Sequence, residues 1–184
     1  FLPGEREPPD MKGPYLMAQN AVLGDGKFED TVGFGGWPVG DHAPEGFYHP
    51  GDPNFCITPP SPYGIPYRVL YRRNVENLFF AGRNISMTHA AMSSSRVMAT
   101  CAILGEAVGE AANLAREFHL TPAGVGEKIR LLQERLMKNG CFLPYLRREI
   151  PEAVLLARLI GEASDDALNQ LRNGADRNNH TYGE

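Results

Sequence analysis

Apolar positions along the chain fall into two kinds of run. YRVLYR (67–72) reads as a short strand, and NLFFA (77–81), a short and nearly continuous apolar stretch, as a buried one. YLMAQNAVL (15–23) can form a further strand. Beyond these the spacing becomes helical. Val97, Cys101, Leu104, Val108 and Ala111 predict a long helix over 94–118, with Ser93 or Ser94 able to cap its start and Cys101 as a small core residue. Ile129, Leu132 and Leu136 predict a second helix over 122–138. Thr121 would cap it, Pro122 suits its first turn, and Asn139-Gly140 ends it. Residues 150–160 read as helical or extended. Gly105 and Gly109 are poor helix formers set four apart, so they are expected to clear one helix face for close backbone approach to a sheet.

Residues 24–66 are dense in Gly, Pro, Asp and His. Structureless connections longer than about 12 to 15 residues are usually functional or disordered. Phe34, Trp37, Phe47, Tyr48 and Tyr63 lie in this stretch, and a disordered segment tends to lack such aromatics. It is therefore expected to be an ordered, loop-rich wall of a site. Residues 1–14 read as linker or surface loop.

Composition narrows the function classes. A chain of 184 residues, 42% hydrophobic and 22% charged, is ordinary globular material with room for a core. A net charge of -4 gives no strong attraction to nucleic acid or an anionic membrane, so neither is expected as a partner. No apolar run approaches the roughly 20 residues of a membrane span. Cys56, Cys101 and Cys141 form no C-x-x-C unit, which argues against a zinc or iron–sulfur site and toward a reducing, cytoplasmic compartment. The chain opens on Phe1 without a signal-peptide pattern, so its natural N-terminus is expected to lie further upstream.

The candidate chemistry centres on the end of NLFFA. A strand ending on Ala81-Gly82 beside a helix N-terminus makes an anion site, because the first helix amides lack partners and Gly lets a ligand approach the backbone. On spacing alone a plainer alternative stands beside this, in which Gly82 allows a turn and Ser93–Ser95 cap a helix. The order of motifs adds to the picture. Ala81-Gly82-Arg83, then Thr88-His89, then Ser94-Ser95-Arg96-Val97-Met98-Ala99-Thr100-Cys101, then the G-x-A-x-G-x-A-A run from Gly105 to Ala112 follow one another. GGWPVGDHAPEG (35–46) and YGIPYRVL (63–70) precede them, and LMKNGCFLP (136–144) follows. Over about residues 28–145 this series resembles the C-terminal section of bacterial FAD-dependent oxidoreductases, related to heterodisulfide-reductase A-like and fumarate-reductase-like flavoproteins.

The resemblance implies an α/β fold, the C-terminal part of a FAD/NAD(P)-binding two-domain flavoprotein, incomplete in this chain. Residues 1–66 would end the substrate-side domain and 67–118 would give the strand–helix part of the FAD-binding domain. Residues 119–160 would be a helical extension, and 161–184 a tail, either frayed or the truncated start of a galactose-binding-like β-sandwich, which SDDALNQLRNGADRNNHTYGE (164–184) resembles. The cofactor implied is FAD. Gly82, Arg83 and Asn84 would lie near the ribityl chain and ring edge, with His89 either lining the site or buttressing the turn. Backbone amides of Ser94, Ser95, Arg96 and Val97 would face the pyrimidine end and stabilise the charge of the reduced ring. No G-x-G-x-x-G occurs, since GFGGWPVG (33–40) misplaces the last Gly. The ADP half of FAD would then be held by a segment before Phe1 or by a second chain. The exposed flavin face would favour association.

Substrate chemistry, on an unidentified small molecule, falls to His42 and Arg68. His42, expected on a Gly- and Pro-framed loop, can exchange a proton near neutral pH. Arg68 can hold an anion in a forked contact. A structural histidine and a buried ion-pair arginine are the alternatives. A second reading keeps the fold without a working cofactor, as a carbohydrate- or protein-binding module using Trp37, Phe47, Tyr48 and Tyr63.

Overall fold

The computed structural model describes residues 12–147 except 25, 44 and 53. The expectations for 150–160 and for the tail at 161–184 lie outside the described residues. In chain order the elements are α1 (Gln19–Leu23), β1 (Thr31–Gly35), β2 (Val39–His42), β3 (Asn54–Ile57), β4 (Tyr63–Pro66), α2 (His89–Ser95), α3 (Met98–Glu117), α4 (Pro122–Val125) and α5 (Ile129–Lys138). Helix and strand both contribute, as an α/β flavin-binding fold requires. No single described helix is long and apolar enough to cross a membrane; α2 and α3 reach that length and composition only together, and they are bent by 95°.

The Gly- and Pro-rich stretch is more regular than expected. β1 pairs antiparallel with β4, and β2 pairs antiparallel with β3. Glycine is ordinarily a weak strand residue, and here it is used where side chains leave no room. Gly35 lies against the Tyr63 ring, where an added Cβ would overlap the hydroxyl. A Cβ on Gly33 would approach Leu104 Cδ2 to 3.1 Å, so the bare backbone of β1 lets α3 settle onto the strand.

Three expected strands differ from what forms. In 15–23 only Met17 bridges another segment, parallel to Met87, and the chain then turns into α1. Residues 67–72 close into a 3-10 turn, Tyr67–Val69. Tyr67, Val69 and Leu70 are all buried, and three-residue helical geometry can bury such neighbours where an alternating strand would expose one. NLFFA keeps a single bridge, Phe79 to Tyr71, with the Phe80 amide donating to Leu70 O at 2.9 Å.

The core joins these pieces. Tyr63, Ile65, Tyr67 and Leu70 pack with Leu104, Ala107, Ala111 and Leu114 of α3 and with Leu132 and Leu136 of α5. Gln133, also buried, donates to Glu29 O at 2.7 Å and Thr31 O at 3.0 Å, which ties α5 to the entry of β1. Tyr67 donates to Pro122 O at 2.6 Å, and burial raises its pKa. The helix expected over 122–138 forms as α4, a 3-10 turn and α5; Thr121 caps it, accepting from the Gly124 amide at 3.1 Å. Gly140 (φ 94°) closes α5 in a left-handed turn, with the Cys141 amide donating to Leu136 O at 2.9 Å. α3 ends the same way on a non-glycine, His119 (φ 53°), with the Leu120 amide donating to Ala115 O at 2.8 Å. Gly105 and Gly109 do not serve a close approach: both are exposed, and a Cβ at either would meet nothing within 4 Å.

Candidate flavin site

The long helix expected over 94–118 is two helices. Thr88 caps α2, accepting from the Ala91 amide at 3.4 Å, and Ser93, Ser94 and Ser95 lie at the far end of α2. Arg96 ends α2, its amide donating to Met92 O at 3.0 Å. Val97 is extended (φ -69°, ψ 148°) and is the N-cap of α3, with no side-chain capping bond. The serines therefore cap nothing. Amides in the last turn of a helix point to carbonyls one turn back, so those of Ser94, Ser95 and Arg96 do not face outward as expected. The unpaired amides at this point belong to the first turn of α3, beginning at Met98, which is 89% exposed.

All three serines are buried and used. Ser93 Oγ accepts from the Gly40 amide at 3.1 Å and donates to Ala90 O at 2.7 Å. Ser94 Oγ donates to the Trp37 carbonyl, and the Tyr63 hydroxyl lies 2.6 Å from Ser94 Oγ. With the serine proton directed at Trp37 O, Tyr63 is the donor in that pair. Burial raises the Tyr63 pKa, with the Ser94 hydrogen bond opposing it, so the phenol keeps its proton. Ser95 Oγ donates to Met87 Sδ at 3.0 Å. The connection from β1 to β2 and the start of β2 are thus fastened to α2, and the Trp37 indole, 59% exposed, stands on that fastened segment.

Gly82 occupies the left-handed region (φ 67°) and opens the 3-10 turn Gly82–Asn84, which packs against α3. A Cβ there would lie 3.7 Å from Cys101 Cβ and Sγ, so the backbone angle, not space, selects glycine. Arg83 and Asn84 are exposed beside it. Burial raises the Cys101 thiol pKa, and the nearby Arg83 guanidinium opposes this. His89 is the first residue of α2 and is exposed.

His42 sits on a strand, at the end of β2, not on a loop. Its Nδ1 lies 2.5 Å from Oδ1 of Asn54, its register partner on β3. Arg68 is already engaged. Its Nε is 3.2 Å from Asp30 Oδ2, and its guanidinium lies over the rings of Tyr15 at 5.1 Å and Phe28 at 6.0 Å. The guanidinium is thus held in an ion pair, although its side chain is 45% exposed and not the buried partner of the alternative reading. No three His, Cys, Asp or Glu side chains among the described residues converge as a metal site would need. The Asn54 contact, the capping role of Thr88 and the Tyr63–Ser94 pair escaped the sequence analysis. Thr88 alone carried a local sign, a threonine three residues before the Ala91 amide it caps.

Comparison with known proteins decides the family. The model of the family described as FAD dependent oxidoreductase matches residues 2–136. The chain belongs to the FAD-dependent oxidoreductase family. Searches of curated proteins and of solved structures each return no match. Membership makes FAD the cofactor and flavin-dependent redox the class of reaction. The residues fit such a group. α3 of this FAD-dependent oxidoreductase opens without a side-chain cap, its first residue is exposed, and the glycine turn at Gly82 packs against the same helix.

Proposed function

We propose that this part of the flavoprotein supplies the flavin-facing helix end and one wall of the substrate site, for oxidation or reduction of a small organic molecule. The observation that carries the reading is the uncapped, exposed start of α3 beside the Gly82–Asn84 turn. A helix N-terminus carries about half a positive charge, and its free amides favour an anionic group or one that becomes negative during reaction. Gly82, Arg83, Asn84 and the α3 first turn after Val97 would hold FAD, and His89 lies at the neighbouring helix start. Bound FAD supplies the electron acceptance, while the protein supplies orientation and electrostatics. The side chains of Ser94 and Ser95 fasten the framework rather than touching the cofactor. His42 is the group that gives or takes the substrate's proton. Arg68 braces the adjoining wall through Asp30.

Val97→Asp tests the reading. An aspartate at the N-cap accepts from the second or third amide of the helix and places a negative charge there. It should leave the thermal midpoint unchanged or higher and weaken FAD about tenfold or more in a titration followed by flavin fluorescence. Unaltered FAD affinity in a folded Val97→Asp protein would sink the assignment.

A further inference from the structure

We infer that Asn54 is a positioning residue for His42, fixing which ring nitrogen serves the substrate. The inference rests on the reading of His42 as the proton-exchanging group. β2 and β3 pair antiparallel with Val39 opposite Ile57, Gly40 opposite Cys56, Asp41 opposite Phe55 and His42 opposite Asn54. Side chains alternate across a strand, so His42, Asn54 and Cys56 share one face of the ladder and Val39 the other. Val39 is buried, and His42, Asn54 and Cys56 are exposed. Gly40 adds no side chain to that face, so the imidazole and Cys56 are diagonal to one another across the ladder. The ladder itself is anchored, because β2 packs on α2 and the Gly40 amide donates to Ser93 Oγ.

The pairing fixes chemistry as well as place. An amide oxygen is only an acceptor, so Asn54 Oδ1 at 2.5 Å requires a proton on His42 Nδ1. The neutral ring then carries its lone pair on Nε2, which makes Nε2 the basic nitrogen of this tautomer. The bond also persists when the ring is protonated, since Nδ1 keeps its hydrogen in both states. A ring that need not rotate or change tautomer between the two halves of a redox cycle is preorganised for both.

The test uses the full chain with FAD and 15N-labelled histidine. Multiple-bond 15N spectra of the neutral ring should show His42 with a protonated Nδ1 and a lone pair on Nε2. Asn54→Ala should collapse this to a mixture of tautomers, and Asn54→Asp, which retains an acceptor, should restore it. A wild-type ring already mixed, or an Asn54→Ala ring unchanged, overturns the inference. A kinetic arm screens alcohols, amines and enoates by bleaching of the flavin band. On any substrate found, Asn54→Ala should lower kcat about 10- to 100-fold with KM retained, and Asn54→Asp should recover most of it. Full turnover in Asn54→Ala while His42→Gln is inactive overturns the positioning role alone. Full turnover in His42→Gln overturns the reading of His42 and the positioning role with it, whatever the tautomer.

Discussion

The Tyr63–Ser94–Trp37 chain of hydrogen bonds is the most exacting part of the framework, because two of its members are fully buried hydroxyls. Tyr63→Phe removes one donor and leaves the ring in place. Ser94 Oγ keeps its bond to Trp37 O but loses the hydrogen bond it accepts. Losing one neutral buried hydrogen bond without creating a cavity costs about 1 kcal/mol. Ser94→Ala is worse, since it strands the buried Tyr63 hydroxyl and releases the Trp37 carbonyl, for about 2 to 3 kcal/mol. Residues that share a hydrogen bond are not additive. The double variant should therefore cost about 1 kcal/mol less than the sum of the two. Urea unfolding of the four proteins measures the cycle. Trp37 is the only tryptophan, so its emission reports the site directly. Ser94→Ala should raise its collisional quenching while the protein is still folded. Strict additivity of the two substitutions, with unaltered quenching in Ser94→Ala, would refute the claim that these hydroxyls fasten the β1–β2 connection to α2.

Other expectations test separate elements. His119→Gly should stabilise by about 0.5 to 1 kcal/mol and Gly140→Ala should destabilise by about 1 kcal/mol, because each sits in a left-handed helix terminus; thermal or urea melts decide both. Leu104→Ala empties a fully buried position between α3 and β1 and should cost about 2 to 5 kcal/mol by urea unfolding. Burial and the neighbouring Glu106 carboxylate push the Cys141 thiol from 9.0 up to about 12. Above pH 9 the unfolded chain then binds fewer protons than the folded one, so this thiol's stabilising contribution should fall between about pH 9 and 12. Cys141→Ala should flatten that part of a stability–pH curve, and a curve of unchanged slope would contradict the assignment.

The parts of the molecule that were legible in advance are those whose local chemistry and tertiary role coincide. Leu104 and Ala111 on α3, and Ile129, Leu132 and Leu136 on α5, follow helical periodicity because each helix lays a single stripe on the core. Thr121-Pro122 and Asn139-Gly140 mark ends through backbone chemistry that needs no distant partner. The motif order between Ala81 and Ala112 pointed to the flavoprotein family, and the family match over residues 2–136 carries that point.

What stayed hidden was set by contacts distant in sequence. Nothing at Arg96-Val97 announces a break, since neither residue is Gly or Pro, and the helical spacing continues through it. The break follows from three consecutive serines being drawn into the interior by Trp37, Gly40, Tyr63 and Met87, up to 57 residues away. Once those bonds anchor the end of α2, the chain must turn 95° for α3 to lie against β1. The same serines read locally as helix caps because short hydroxyl side chains generally do cap helices. β1 to β4 were obscured in the opposite way. Gly33, Gly35 and Gly64 look like breakers, yet each is fixed by a neighbour occupying the space its side chain would need: Leu104, Tyr63 and Thr31. The register that sets His42 against Asn54 then follows from the β2–β3 pairing across an eleven-residue connection, which no local pattern specifies. The Gly82 turn thus shows itself in a short motif, while the Asn54 partner of His42 emerges only once the strands are paired.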